Sequence, residues 1–218
     1  VEDIWECQFG RFLNKHQLEC NIDLRYLDPL IPRDAYFGGR VNCVKMYYRC
    51  DDAEKIYYMD VTSMYPAVMS GSQYYYPVGC PKVIRPRVDG YHIPLGELFG
   101  VMKCRVIPPR NLYHPVLPSR SKDGKKVIFD LTPMVGTWTH MELEEAVAQG
   151  YVISDIFEQH HFERRLNNLF KEYNEVFFDI KKKAKASGNK GLETIAKLCI
   201  NGPTGKWGYN PMKSMNNY

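Results

Sequence analysis

Leu166, Leu169, Phe170, Tyr173, Phe177 and Ile180 recur at intervals of three and four, a period that a helix satisfies and a strand does not. The pattern predicts a helix from Glu163 whose apolar stripe is core and which runs into the Lys181–Lys185 cluster. Ser187-Gly188-Asn189 breaks it. A second helix, Leu192 to Ile200, is predicted to stop at Asn201-Gly202-Pro203, because proline has no N–H to continue the ladder. Two antiparallel helices joined by a tight basic turn result.

The chain before them reads differently. Val41 to Cys50 and Lys55 to Val61 are rich in β-branched and aromatic residues and predict an antiparallel hairpin over the turn Asp51-Asp-Ala-Glu54. Gly71 to Asp155 is rich in Pro and Gly, with strand-like pieces at Leu98–Ile107 and Lys126–Phe129. It also holds one helix signal, Thr139 to Ala148, closed by Gly150 at a position that suits glycine. Residues 1–35 predict a short helix around Ile4 and then an irregular arm ending at Pro29-Leu-Ile-Pro32. The seven cysteines are scattered and never spaced C-x-x-C, so neither a disulfide framework nor a zinc site is indicated, and a reducing, intracellular compartment is expected. His140, His160 and His161 have no ligand spacing and read as surface or packing residues. No apolar run approaches the roughly 20 residues of a bilayer span, so no membrane partner is expected.

Charge is unevenly placed. From Lys181 onward eight lysines face one acid, a net of +7 in a chain whose total is +4. Such a concentration suits polyphosphate or nucleic acid, although lysines at a helix C-terminus are also favourable for the helix itself.

Two short patterns carry the chemistry. In Asp60-Val-Thr-Ser63-Met-Tyr65-Pro66 a carboxylate stands at the end of a predicted strand and beside a helix start. It can hold a divalent cation, with phosphate oxygens on the free N–H groups of the turn; the same Asp can equally be a cap for the helix Ala67-Val-Met-Ser70. Lys197 and Asn201 lie at i and i+4, hence on one helix face, followed by Gly205-Lys206-Trp207-Gly208. That face is either a nucleotide platform or an ordinary exposed surface.

Taken together, the patterns resemble a family. Asp60-x-x-Ser63-Met64-Tyr65-Pro66 resembles motif A (D-x-x-S-L-Y-P) of family B DNA polymerases, and Lys197-x-x-x-Asn201-x-x-x-Gly205 resembles their motif B (K-x-x-x-N-S-x-Y-G). Tyr36-x-Gly38-Gly39 is similar to the Y-x-G-G element of the protein-primed branch. The three occur in the family's order, with 24 residues from Tyr36 to Asp60 and 137 from Asp60 to Lys197. The long second gap resembles that branch, which carries there an insertion contacting the terminal protein. Ile31–Arg40 and Pro108–Pro118 also look similar to polymerases of Polinton (Maverick) elements and related viruses.

The resemblance implies an α+β fold: a right-hand polymerase palm built on an antiparallel sheet, a helical fingers hairpin, and an inserted terminal-protein-contacting subdomain. Residues 1–35 would be an arm from an upstream exonuclease region, 36–70 palm with motif A, 71–155 the insertion, 156–210 fingers with motif B, and 211–218 a truncated return to the palm. The implied activity is template-directed transfer of deoxynucleotides to a protein or DNA primer hydroxyl, with two Mg²⁺ ions as cofactors. By the resemblance Asp60 is a catalytic metal ligand, and the Val61 carbonyl adds an oxygen. Ser63, Met64, Tyr65, Lys185, Lys197 and Asn201 contact the dNTP, with Tyr65 under the sugar. Tyr36, Gly38, Gly39, Gly205 and Lys206 meet DNA. The implied partners are template, primer and terminal protein, at a nuclear or viral replication site.

The chain departs from the pattern in motif B, where Gly202-Pro203-Thr204 replaces Ser-x-Tyr and removes the stacking tyrosine; Trp207 is the nearest substitute. No Y-x-D-T-D element, the family's motif C, precedes Tyr218. The expectation is therefore a polymerase piece inactive by itself. The alternative is a domesticated remnant that only binds nucleic acid.

Overall fold

The computed structural model describes residues 28–41, 43, 45–121, 124 and 126–209. The helix expected near Ile4 lies outside the described residues, as do residues 210–218.

The main core forms where alternation is cleanest. In β3 (Gly100–Ile107) Met102, Cys104 and Val106 are buried in turn, the period of a strand with one face on a core. β3 lies between β7 (Val152–His161) and β6 (Met134–Thr139), and β2 (Lys82–Ile84) pairs with the far edge of β7. The resulting four-stranded sheet, in the order β2-β7-β3-β6, is antiparallel throughout. Its apolar face holds Leu98, Leu117, Trp138, Leu143, Ala146 and Tyr151 around the β3 residues.

Leu143 and Ala146 belong to α3 (His140–Ala148), whose boundaries follow the sequence signal. Thr139 and Glu142 form a reciprocal capping box, and Gly150 adopts φ +93°, the left-handed conformation that glycine accepts without strain. Trp138 donates from Nε1 to the Pro118 carbonyl at 2.8 Å. That bond ties the ribbon of β4 (Pro118–Arg120) and β5 (Val127–Phe129) to the sheet. Burial pushes the Cys104 thiol up to about 12, so it is an inert core group.

A second ribbon leads away from the sheet. β1 (Tyr75–Val78) pairs antiparallel with β8 (Arg164–Asn167), just as β2 pairs with β7. Two chain arms thus run side by side from the sheet to a helical unit. That unit consists of α1 (Met64–Ser70), α4 (Lys171–Ala186) and α5 (Lys190–Gly208). A one-turn helix, α2 (Pro86–Asp89), sits beside β7. Among the described residues no helix is long and apolar enough to cross a membrane.

The structure corrects four expectations. The Asp51–Glu54 turn forms, closed by Glu54 N–H to the Asp51 carbonyl at 3.0 Å, but 41–50 and 55–61 make no strand ladder among the described residues. Ile56, Tyr57, Tyr58, Met59 and Val61 are all exposed; nothing covers either face, and a bare two-stranded hairpin is marginal in water. Residues 164–167 are strand, not helix, because Leu166 finds a partner opposite Tyr76. The stripe on α4 is only half-covered, and the fully buried α4 residues are Asn174 and Ala184. Finally, α5 does not stop at Asn201. It carries Pro203 inside it and continues to Gly208. The Cys199 carbonyl, which Pro203 has no N–H to serve, accepts instead from the Tyr173 hydroxyl at 2.8 Å.

His160, His161 and His140 are packing residues. His160 Nε2 meets Glu158 Oε1 at 2.8 Å, Nδ1 of His161 accepts from the Phe99 amide at 3.1 Å, and Nδ1 of His140 lies 3.3 and 3.2 Å from the Gly100 amide and carbonyl.

Candidate nucleotide site

Asp60 precedes a turn whose backbone is unusual. Ser63, the residue before α1, adopts φ 54° and ψ 36°, a left-handed conformation that costs a non-glycine residue about 1 kcal/mol or more. No side chain caps α1; its first helical bond is Ala67 N–H to the Ser63 carbonyl at 3.0 Å. The capping alternative for Asp60 therefore does not hold. Among the described residues Asp60 has no hydrogen-bond or ion-pair partner, and its side chain is exposed.

The turn opens into a cavity of about 530 Å³. One wall is the whole of 60–66, from Asp60 through Ser63, Met64 and Tyr65 to Pro66. The other is α5, which presents Lys197, Ile200, Asn201 and Thr204, positions i, i+3, i+4 and i+7 of one helix face. Lys181 enters from α4. Residues 137 positions apart in the chain thus share one concave site carrying one carboxylate, two ammonium groups, an amide and hydroxyls.

Packing explains the meeting. Pro66 and Met69 of α1 are buried against α4 and α5, and Asn174, 1% exposed, donates from Nδ2 to the Pro66 carbonyl at 3.2 Å and to Ser70 Oγ at 2.8 Å. Ala196 and Ile200, one turn apart, are the buried residues of α5, and Ile200 forms part of the cavity wall.

Not all expected residues converge. Lys185 sits one turn beyond Lys181 and does not line the cavity, nor do Gly205 and Lys206. Trp207 packs its ring on Phe170, centroids 4.6 Å apart, so Thr204 rather than an aromatic ring occupies the cavity wall at the altered part of the motif. Lys181, Thr62 and Thr204 were not foreseen; a lysine four residues before Lys185 is the sequence signal that could have been read for the first.

The Tyr36–Gly39 segment is a separate feature, docked on the C-terminal end of α5. Arg33 donates to the Gly208 carbonyl at 2.8 Å and to the Tyr209 carbonyl at 3.2 Å, meeting the negative end of the helix. The Tyr36 hydroxyl lies so close to Gly208 that a Cβ there would fall 2.5 Å from it. Arg120 donates to the Tyr36 carbonyl at 3.0 Å and lies over the Phe37 ring. Gly38 and Gly39 have ordinary backbone angles, and a Cβ at either would meet nothing within 4 Å. Among the described residues nothing requires glycine at those two positions.

For Mg²⁺ the donor set is partial. Among the described residues no cluster of three or more His, Cys, Asp or Glu exists that could hold a metal by itself. Magnesium, however, is commonly held by one or two carboxylates plus substrate phosphates. An unspent Asp60 beside two lysines fits one ion arriving with a triphosphate. A second ion needs carboxylate that this cavity lacks.

The model of the family of type B DNA polymerases, organellar and viral, matches residues 31–217, and the chain belongs to that family. Two solved structures have the same fold over 70% of this chain. They are Phi29 DNA polymerase with primer-template DNA, a post-translocation binary complex (TM-score 0.51, 22% identity), and the same polymerase with primer-template DNA and incoming nucleotide substrates (TM-score 0.51, 21% identity). The matched region is 25% and 26% of those chains, so this chain spans about a quarter of the polymerase it matches. No curated protein sequence matches it.

Proposed function

We propose that the chain carries the nucleotide-binding part of a protein-primed, DNA-directed DNA polymerase, with the 60–66 turn as motif A and Lys197–Gly205 as motif B. The observation that carries this is their convergence on one cavity, with Asp60 left free of any cap. In this reading residues 36–70 are palm, 71–155 the terminal-protein-contacting insertion and 156–210 the fingers. Residues 1–35 and 211–218 join it to the exonuclease region and the rest of the palm.

Lys197 and Lys181 hold the triphosphate electrostatically, with Lys185 on its approach, and Ser63 contacts a phosphate oxygen. Tyr65 lies under the sugar beside Met64, where a 2′-hydroxyl meets the ring, so deoxynucleotides are preferred. Asn201 faces the nascent base pair. Tyr36, Gly38 and Gly39 guide the template strand, whose close approach would account for glycines that packing does not demand; Gly205 and Lys206 continue that surface. Asp60 and the Val61 carbonyl would hold Mg²⁺, which when bound neutralises charge on the transferring phosphate; two ions are expected in the complete enzyme. The partners are primer, template and terminal protein, at an intracellular replication site such as the nucleus or a viral factory.

The test is Asp60→Ala in the complete polymerase. Mg²⁺-dependent primer extension should vanish while DNA binding, which rests on lysines and backbone, stays within about twofold. Undiminished extension would refute the assignment of Asp60.

A further inference from the structure

We infer that Tyr173 is a positioning residue for the nucleotide site, acting by standing in for the backbone donor that Pro203 lacks. The inference rests on the reading of the cavity as a nucleotide site.

In a regular helix the N–H of residue 203 would bond the carbonyl of Cys199. Proline removes that donor, and its ring crowds the same carbonyl, which ordinarily kinks or ends a helix. Here α5 runs five residues past Pro203, to Gly208. The Cys199 carbonyl is satisfied from outside, by the Tyr173 hydroxyl of α4 at 2.8 Å. The turn that Pro203 would otherwise release carries Asn201 and Thr204, both on the cavity wall, and Lys197 lies half a turn before Cys199. Holding the Cys199 carbonyl therefore holds the orientation of all three.

The next residue completes the device. Asn174 ties the same turn of α4 to α1 through the Pro66 carbonyl and Ser70 Oγ. Successive helical residues point about 100° apart, so one turn of α4 reaches one helix with Tyr173 and the other with Asn174. A movement of α5 against α4 is thus a movement of Lys197 and Asn201 against Asp60 and Tyr65. The Gly202-Pro203-Thr204 departure from the family pattern has, in this chain, a compensating hydroxyl 30 residues upstream of the proline.

The test is a cycle of Tyr173→Phe, Pro203→Ala and the double variant, each in the 218-residue chain, with two readouts. The first is hydrogen exchange of the α5 amides, which needs no ligand. Tyr173→Phe should speed exchange of the turn after Cys199. Pro203→Ala, which restores the N–H, should abolish that sensitivity, so the double variant exchanges like Pro203→Ala alone. The second is titration with Mg²⁺–dATP. Tyr173→Phe should weaken binding about two- to tenfold, the worth of one net hydrogen bond, and again have no effect in the Pro203→Ala background. If Tyr173 served only general packing, Tyr173→Phe would speed exchange and weaken binding equally in the two backgrounds, and that result overturns the inference. So does unchanged exchange and affinity in Tyr173→Phe. If the exchange cycle behaves as stated while the unsubstituted chain binds no Mg²⁺–dATP, the pairing of Tyr173 with Pro203 stands and the nucleotide-site reading falls.

Discussion

Replacing Glu158 with alanine should destabilise the chain more than replacing any of the polar residues that line the cavity. Glu158 is 5% exposed in the middle of β7 and accepts from three directions: Arg85 Nε at 2.8 Å, His160 Nε2 at 2.8 Å and the Leu30 amide at 3.2 Å. The last bond anchors the arm that carries Arg33 and Tyr36 to the end of α5. Burial alone would raise the Glu158 pKa, but Arg85, His160 and the Leu30 N–H outweigh it and hold the carboxyl below its ordinary value. Arg85 is half exposed and regains water when the carboxylate goes, so its share is set aside. His160 and the Leu30 amide stay buried, and each unsatisfied group costs about 1–3 kcal/mol. The expected loss is about 2–6 kcal/mol, or roughly 4–24 °C in Tm for a chain of this size, read by thermal unfolding followed by circular dichroism. Because the folded pKa is depressed, the stabilisation is present above the unfolded value of about 4.5 and fades as pH falls through the lower folded value. Glu158→Gln should therefore flatten the acid limb of the stability profile. A Tm shift below about 2 °C with an unchanged acid limb would refute the account of Glu158 as a three-way anchor.

Three further outcomes follow from named contacts. Tyr65→Ala should bring incorporation of ribonucleotides closer to that of deoxynucleotides in the complete polymerase, measured as the ratio of kcat/KM; an unchanged ratio reduces Tyr65 to packing. Lys181→Ala should weaken Mg²⁺–dATP binding more than Lys185→Ala, since only Lys181 lines the cavity, and equal effects in a titration would remove that distinction. Thr139→Ala breaks the capping box of α3 and should cost about 1 kcal/mol in denaturant unfolding without altering nucleotide binding.

The parts of the fold that were legible in the sequence are those whose reasons are local. Thr139 with Glu142 marks the start of α3, Gly150 marks its end, and the alternation in β3 announces a one-faced strand. The misread parts have reasons that lie elsewhere in the chain. Leu166 continues the helical spacing of Leu169 and Phe170, but its pairing opposite Tyr76 makes it strand, and the chain turns at 168–170 before α4 begins. Pro203 reads as a stop because its remedy is a hydroxyl on another helix. In the site, Asp60, Tyr65, Lys197 and Asn201 were legible because their spacing resembles family motifs, and the fold brings them together. Lys181 and Lys185 are not distinguishable in the sequence, because which of them meets the cavity depends on how α4 is rotated about its axis, which packing sets. Arg33 and Arg120 have no local signature; only the meeting of the arm with α5 and the β4 edge gives them a task.

The two halves of the molecule are held by different forces. The sheet buries Met102, Cys104, Val106, Leu117, Trp138 and Leu143 almost completely, so its geometry is over-determined by close packing. The helical unit buries few large side chains; Val176, Leu192, Ile195 and Leu198 remain exposed. There, single polar ties do what packing does in the sheet: Asn174 to α1, Tyr173 to the Cys199 carbonyl, Arg33 to the end of α5. Each is worth only about 1 kcal/mol. Removing one should lower the melting temperature of the chain by only about 2–4 °C, yet it frees a helix bearing Lys197 and Asn201. Regions with few buried contacts open at lower free energy than the global transition. Polar substitutions in the helical unit should therefore separate binding from stability, whereas a core substitution such as Glu158→Ala should lower stability first and binding only as a consequence.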